Sequence, residues 1–390
     1  MSATSGSEVA GEEQRAGWFE LFFDLVFVVI VSVLATGLHG DPGPGAFGTF
    51  LVLFFPAWWA WVNLMLTVNM FGSAGARIQA MLVGAMPGLG LMAAAGPAGL
   101  GSRAWAYALG AAWVRLAYFL LWWGRVRSGA VAVPLWRPVV YGLVTAGLWA
   151  ASAALPAPER FVLWGVAIAL EVVLLVIRGE PERSLVHSLL SIEHMVERIG
   201  GFVVIVLGES VFTIVVSLTG HFTEASALAA LLGFLVVAQL GAVFFVWGTA
   251  AAARGLSQAQ LGGALEAIRD SVMYLPFLLV TGITALAAAL GTAVAAPGHV
   301  LPTGACWGLC GGVLAFYSAN AAISLRFGDQ VRTVLGWYLP CLPLVLGVLL
   351  PAALLWPAWA AVAVAAGLVL GLTELVKLRR AKARRALVAP

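Results

Sequence analysis

WFELFFDLVFVVIVSVL, residues 18–34, has the composition of a helix that lies in lipid rather than in water. Only Glu20, Asp24 and Ser32 interrupt its hydrocarbon side chains. About twenty mainly apolar residues carry a helix across a hydrocarbon layer of about 30 Å. Comparable runs recur along all 390 residues, 62% of which are hydrophobic and 10% charged, with a mean hydropathy of +0.99. A water-soluble domain carries about 25% charged residues, so this chain lacks the polar surface such a domain needs. The pattern predicts an all-α, polytopic transmembrane helix bundle of about twelve spans. Hydropathy and turn signals place them at 17–38, 46–70, 79–98, 104–124, 136–156, 160–178, 199–218, 225–250, 271–295, 303–325, 334–354 and 357–377.

The connections, such as GDPGPG at 40–45 and RGEPERS at 178–184, are too short for a soluble domain. One membrane domain, 17–377, is therefore expected between a polar N-terminal segment, 1–16, and a basic tail, 378–390. Lys and Arg test the span count independently. Seventeen fall in the tail or in loops on the N-terminal side, and two, Arg103 and Arg160, in the opposite loops. The positive-inside rule then puts both termini in the cytoplasm. The net charge of +3 is confined to these loops and gives no reason to expect a nucleic-acid partner. The tail KLRRAKARR is expected to rest on anionic lipid headgroups. A weak echo between FFPAWW (54–59) and VFFVWG (243–248), with Pro87 and Pro276 at the same offset, raises the reading of two parallel six-span halves, 17–178 and 184–377. Chance likeness between apolar helices is its rival.

A charge at the centre of a bilayer costs about 2.5–3.5 kcal/mol on the insertion scale, so charges inside spans mark the places to search for function. Glu20 and Asp24 are four residues apart and share a helical face; the pair suits proton exchange, cation binding or acid catalysis. The alternative is an interfacial pair that caps the helix or meets loop arginines. In HSLLSIEHMVERIGGFVVIVLGESVFTI (187–214), His187, Ser191, His194, Arg198 and Glu209 fall on one side of a helix, with Glu193 and Glu197 on a neighbouring stripe. Glu209 stands about 16 Å beyond Arg198, near mid-membrane. That stripe reads as a lined cavity or proton route, or else as an interfacial helix followed by one hydrogen-bonded acid. Gly200, Gly201 and Gly208 are expected to admit a neighbouring backbone. Arg115 and Glu171 are the other deep charges, free to pair with each other or with the stripe. Asn63 and Asn69 offer amide hydrogen bonds on the second span. Trp58, Trp59 and Trp61 are expected in the interfacial belt, with a pocket for a flat or cationic ligand as the alternative. Cys306, Cys310 and Cys341 lie in apolar runs, where small-residue packing is expected of them. No nucleotide loop, dinucleotide fingerprint, HExxH, paired CxxC or DDxxD motif occurs, so neither a cofactor nor a metal is expected.

ELFFDLVFV (20–28), WWAWVN (58–63) with Asn69 and Arg77, and ERIGGFVVIVLGES (197–210) resemble the signature segments of the bacterial low temperature requirement A (LtrA) family. The resemblance marks Glu20, Phe23, Asp24, Trp59, Asn63, His194, Glu197, Arg198, Gly208, Glu209 and Ser210. It implies a multi-pass protein of the bacterial plasma membrane and brings no agreed activity. The second half departs from the pattern: FFVWGTAAAARG stands where relatives carry an aromatic run followed by an acid, and VMYLPFLL where a histidine is expected. Three functions remain open. They are a transporter-like protein moving a proton or small solute, a membrane-embedded enzyme using Asp24 or Glu209 as acid on an apolar lipid or isoprenoid, and a scaffold whose polar cluster fixes helix register.

Overall fold

The computed structural model describes residues 17–72, 75–131, 133–177, 189–245, 249–262 and 265–388. Its helices are α1 (Trp18–Ala35), α2 (Pro44–Phe71), α3 (Ala76–Ala95), α4 (Ala104–Arg127), α5 (136–152), α6 (Glu159–Val176), α7 (Ile192–Gly220), α8 (Glu224–Val243), α9 (Thr249–Leu261), α10 (265–295), α11 (Thr303–Arg326), α12 (Val331–Leu355) and α13 (Ala358–Val388). The β pairing among the described residues is an isolated bridge between Val300 and Pro357. Ten of these helices are long and apolar enough to cross a membrane. The other two expected spans are helical as well: α5 is short, and α6 carries Glu159, Arg160 and Glu171. Helix α9 belongs to no span and continues the chain beyond α8.

Local chemistry sets the element ends. Helix α2 opens with Pro44 in its first turn, where the fixed φ suits a helix and the missing N–H is not needed. It stops at Gly72, whose φ of 76° is open to glycine at little cost. Helix α7 begins seven residues earlier than its hydropathy indicates, because Ser191 caps it: the Ser191 hydroxyl faces the His194 N–H. The early start puts His194 and Arg198 on regular helix.

Packing is closest where glycines meet. A Cβ on Gly110 would lie 2.6 Å from the Gly88 carbonyl oxygen, and one on Gly312 would lie 2.7 Å from that of Gly282. These contacts join α3 to α4 and α10 to α11, pairs six spans apart. The pairings α1–α3, α4–α5 and α5–α6 are likewise matched by α7–α10, α11–α12 and α12–α13. Helices α5 and α12 also share a π-helical turn, at Val139–Val144 and Val345–Leu349. The sequence echo adds less: Pro87 sits inside α3, Pro276 opens the regular part of α10, and Trp247 lies outside the described residues.

Two expectations are corrected by the fold. Trp58, Trp59 and Trp61 are not belt residues; all are buried, because α2 has protein on every side. Gly208 admits no backbone, since a Cβ there would meet nothing within 4 Å. Gly201 does approach α1, at Leu21.

Candidate functional site

The first signature helix carries acids one turn apart, Glu20 and Asp24, and the seventh-span helix carries His194 and Arg198 at the same spacing. Helices α1 and α7 pack side by side, so the two pairs meet. His194 Nε2 lies 3.0 Å from Glu20 Oε2, and Arg198 bridges both acids: Nη1 is 3.2 Å from Glu20 Oε2, and Nη2 donates to Asp24 Oδ1 at 2.6 Å. Trp61 Nε1 reaches the same Asp24 oxygen from α2, at 2.8 Å. All four charged or titratable side chains are almost wholly buried, Asp24 completely. Asp24 Oδ2 is buried and accepts no hydrogen bond.

Asn69, near the end of α2, fixes the protonation of the imidazole. Ser191 N–H donates to Asn69 Oδ1 at 3.0 Å, and Asn69 Nδ2 donates to Ser191 O at 2.8 Å. A backbone N–H only donates and a carbonyl only accepts, so the amide cannot be turned round. Its second Nδ2 hydrogen therefore points at His194 Nδ1, 3.1 Å away. That nitrogen must accept, which leaves the His194 proton on Nε2, directed at Glu20.

The other expected site residues lie elsewhere. Glu209, half-buried, accepts from Ser32 Oγ at 2.5 Å, on the same α1–α7 seam but about 12 Å beyond Asp24. The intervening residues, Phe27, Val28 and Val31 on α1 with Phe202 and Val206 on α7, are buried and apolar. Glu197 and Glu193 are exposed, and His187 lies outside the described residues. Ser210 hydrogen-bonds its own helix at Val206 O. Phe23 is buried beside Phe27. Trp59 stacks on Phe55 and lies near Tyr274, away from the acids. Asn63 turns to the opposite face of α2 from Trp61 and accepts from the Tyr141 hydroxyl at 2.6 Å. Arg115 and Glu171 choose each other, at 2.6 and 3.1 Å, with Arg115 over the Trp149 ring.

Trp61 and Asn69 had no place in the expected acid–base group, although each stands in or beside a segment that did; Ser191 stood on the expected stripe, and its role as helix cap and partner of Asn69 was not foreseen. A signal was present: FVVIV occurs at 27–31 and again at 202–206, at the same depth in the two helices that meet.

The segments that build this site, α1, the second half of α2 and α7, are those that carry the signature motifs. The chain matches the sequence model of the bacterial low temperature requirement A protein (LtrA) over residues 15–372. It belongs to the LtrA family. It is also 27% identical over 212 residues to a protein of Rhizobium meliloti (strain 1021) described as uncharacterized, a match covering 52% of this chain and 51% of that protein. The chain thus aligns with about half the length of that curated relative. No solved structure matches it. Of the stretches where the resemblance implies other residues, 246–248 of FFVWG lie outside the described residues, while Met273 in VMYLPFLL accepts from Trp58 Nε1 at 2.6 Å. Trp58 in turn stacks on Trp61, the donor to Asp24.

Proposed function

We propose that this LtrA protein is transporter-like and works by taking up and releasing a proton at the Glu20–Asp24–His194–Arg198 cluster. The observation that carries the proposal is a charge count. Two carboxylates face one guanidinium and an imidazole whose Nδ1 faces the Asn69 amide, so with that ring neutral the group has one acidic charge more than it has basic charge. In a buried, hydrocarbon-like setting an isolated net charge is costly, and one bound proton removes it. Asp24 Oδ2, buried and without a donor, is an available position for that proton. Such a cluster, placed between two packed helices, is suited to coupling proton occupancy to their separation.

Two features support the frame around it. The repeated pairing supports two parallel halves, 17–178 and 184–377, with α1 and α7 at their junction. The Lys and Arg distribution supports cytoplasmic termini in a bacterial plasma membrane, with α13 carrying the basic tail on as helix. The enzyme reading draws on the aromatic side chains near Asp24, but Trp58, Trp61 and Phe202 pack on one another at 4.6–5.6 Å and fill that space themselves.

Proteoliposomes loaded with a pH-reporting dye test the proposal under an imposed potential. Proton flux through the wild type is expected to fall to the protein-free background in Glu20→Gln and in Asp24→Asn. Glu209→Gln, which changes a separate station, is expected to slow it. Unaltered flux in all three variants would remove the proposal.

A further inference from the structure

Behind α2, on the face opposite the acids, lies a half-open cavity of about 150 Å³ between α2, α4, α5 and α6. Its polar lining is Asn63, Thr67, Tyr118, Trp122, Arg137 and Tyr141, and Leu174 and Leu175 form part of its apolar wall. We infer that this cavity is a binding site for a small neutral molecule, mostly hydrocarbon, that donates one hydrogen bond.

Four observations carry this. First, the size: a cavity of about 150 Å³ takes up benzene in a protein interior. Second, the pairing of the polar groups in the walls. Tyr141 donates to Asn63 Oδ1, Asn63 Nδ2 to Trp59 O at 2.8 Å, and Trp122 Nε1 to Thr67 Oγ at 3.1 Å. Arg137, at the rim, turns its guanidinium to the carbonyl oxygens of Leu174 and Ile177. The Arg115–Glu171 pair behind Tyr118 is closed on itself. A cation would therefore enter without a counter-ion, and an anion would meet only Arg137, which is held to backbone at the rim. Third, the remaining hydrogen-bonding capacity. The Thr67 hydroxyl donates to Asn63 O at 2.7 Å and accepts from Trp122, which leaves it one lone pair. That is a place for a hydroxyl or N–H of the occupant. Fourth, the wall nearest Tyr141 is the π-helical turn Val139–Val144. Such turns cost helix geometry and are frequent at functional sites. A largely apolar hollow with a few fixed polar groups is the ordinary form of a small-molecule site.

The inference does not depend on proton transfer at the acidic cluster, and its test measures binding alone. The full chain is labelled with 5-fluorotryptophan, placed in nanodiscs and titrated with phenol and, separately, with benzene; Trp122→Phe assigns the Trp122 fluorine resonance. Phenol is expected to move that resonance saturably, with a dissociation constant on the order of 1 mM, and benzene to bind more weakly. Thr67→Val is expected to bring phenol down to the level of benzene. Leu175→Trp, which fills the hollow, is expected to abolish the shift, and Leu66→Phe fills it from α2 should the first variant not fold. A shift that never saturates, or one that survives in the filled variant, overturns the site. Equal affinity for phenol and benzene overturns the hydrogen-bonding part.

Discussion

His194 shows how one amide sets the chemistry of a buried site. Protonating Nδ1 would set an N–H against the Asn69 amide hydrogen, so this contact requires Nδ1 to accept. In Asn69→Asp the facing atom becomes an acceptor, and the proton is expected to move to Nδ1 or the ring to become doubly protonated. The nitrogen-15 shifts of His194 report this directly; an unchanged Nδ1 signal would mean that Asn69 does not hold the tautomer. At this scale the sequence was partly legible. The i, i+4 spacings of Glu20 with Asp24 and of His194 with Arg198 revealed which side chains share a face. They did not reveal which face met which, because that depends on α1 lying against α7, a contact between residues 174 positions apart. Trp61 was misjudged for a related reason. Tryptophan favours the membrane interface, and only the central position of α2 overrides that tendency.

Helices α3 and α4, and likewise α10 and α11, are brought together by backbone contact rather than by side-chain volume. Gly88 and Gly110 touch through carbonyl oxygens, and the three nearest atoms to a Cβ on Gly110 would lie at 2.6–3.0 Å. Gly110→Ala is expected to cost about 1–3 kcal/mol, read as a lower midpoint of thermal unfolding in detergent. Gly208→Ala meets open space and is expected to leave that midpoint unchanged or to raise it slightly. Loss of flux in a stable Gly208→Ala protein would show that this motif glycine serves function and not packing. Hydropathy located the ten helices long and apolar enough to span, and the helices α5 and α6 besides, because length and composition are local properties. It missed the seven-residue extension of α7, where the deciding information is one serine cap and a clamp from α2. The π turn in α5 left no hydropathy mark either, since it alters hydrogen-bond register and not composition.

At the scale of the whole molecule, the Lys and Arg distribution predicts which side of the membrane each loop faces, while Glu20, Asp24 and Glu171 are buried. The loops at the two ends of α4 give the sharpest test, because Ser102 and Ser128 are both exposed and lie on opposite sides of the bundle. Among the described residues the native cysteines are buried, so a new one is read without interference. In intact cells a membrane-impermeant maleimide is expected to label Ser102→Cys, and to label Ser128→Cys only after the cells are opened. The reverse pattern would invert the topology and place the termini outside.

The dry segment between Asp24 and Glu209 has an electrical consequence. Phe27, Val31, Phe202 and Val206 offer no hydrogen-bonding relay, so a proton leaving one carboxylate for the other crosses a thin insulator of about 12 Å. Most of the local voltage drop falls across such an insulator. One elementary charge moved through the full potential is worth about 2.3 kcal/mol per 100 mV. In the proposed proton cycle, exchange between the two carboxylates, rather than entry at either end, is then expected to be the step on which the membrane potential acts most strongly.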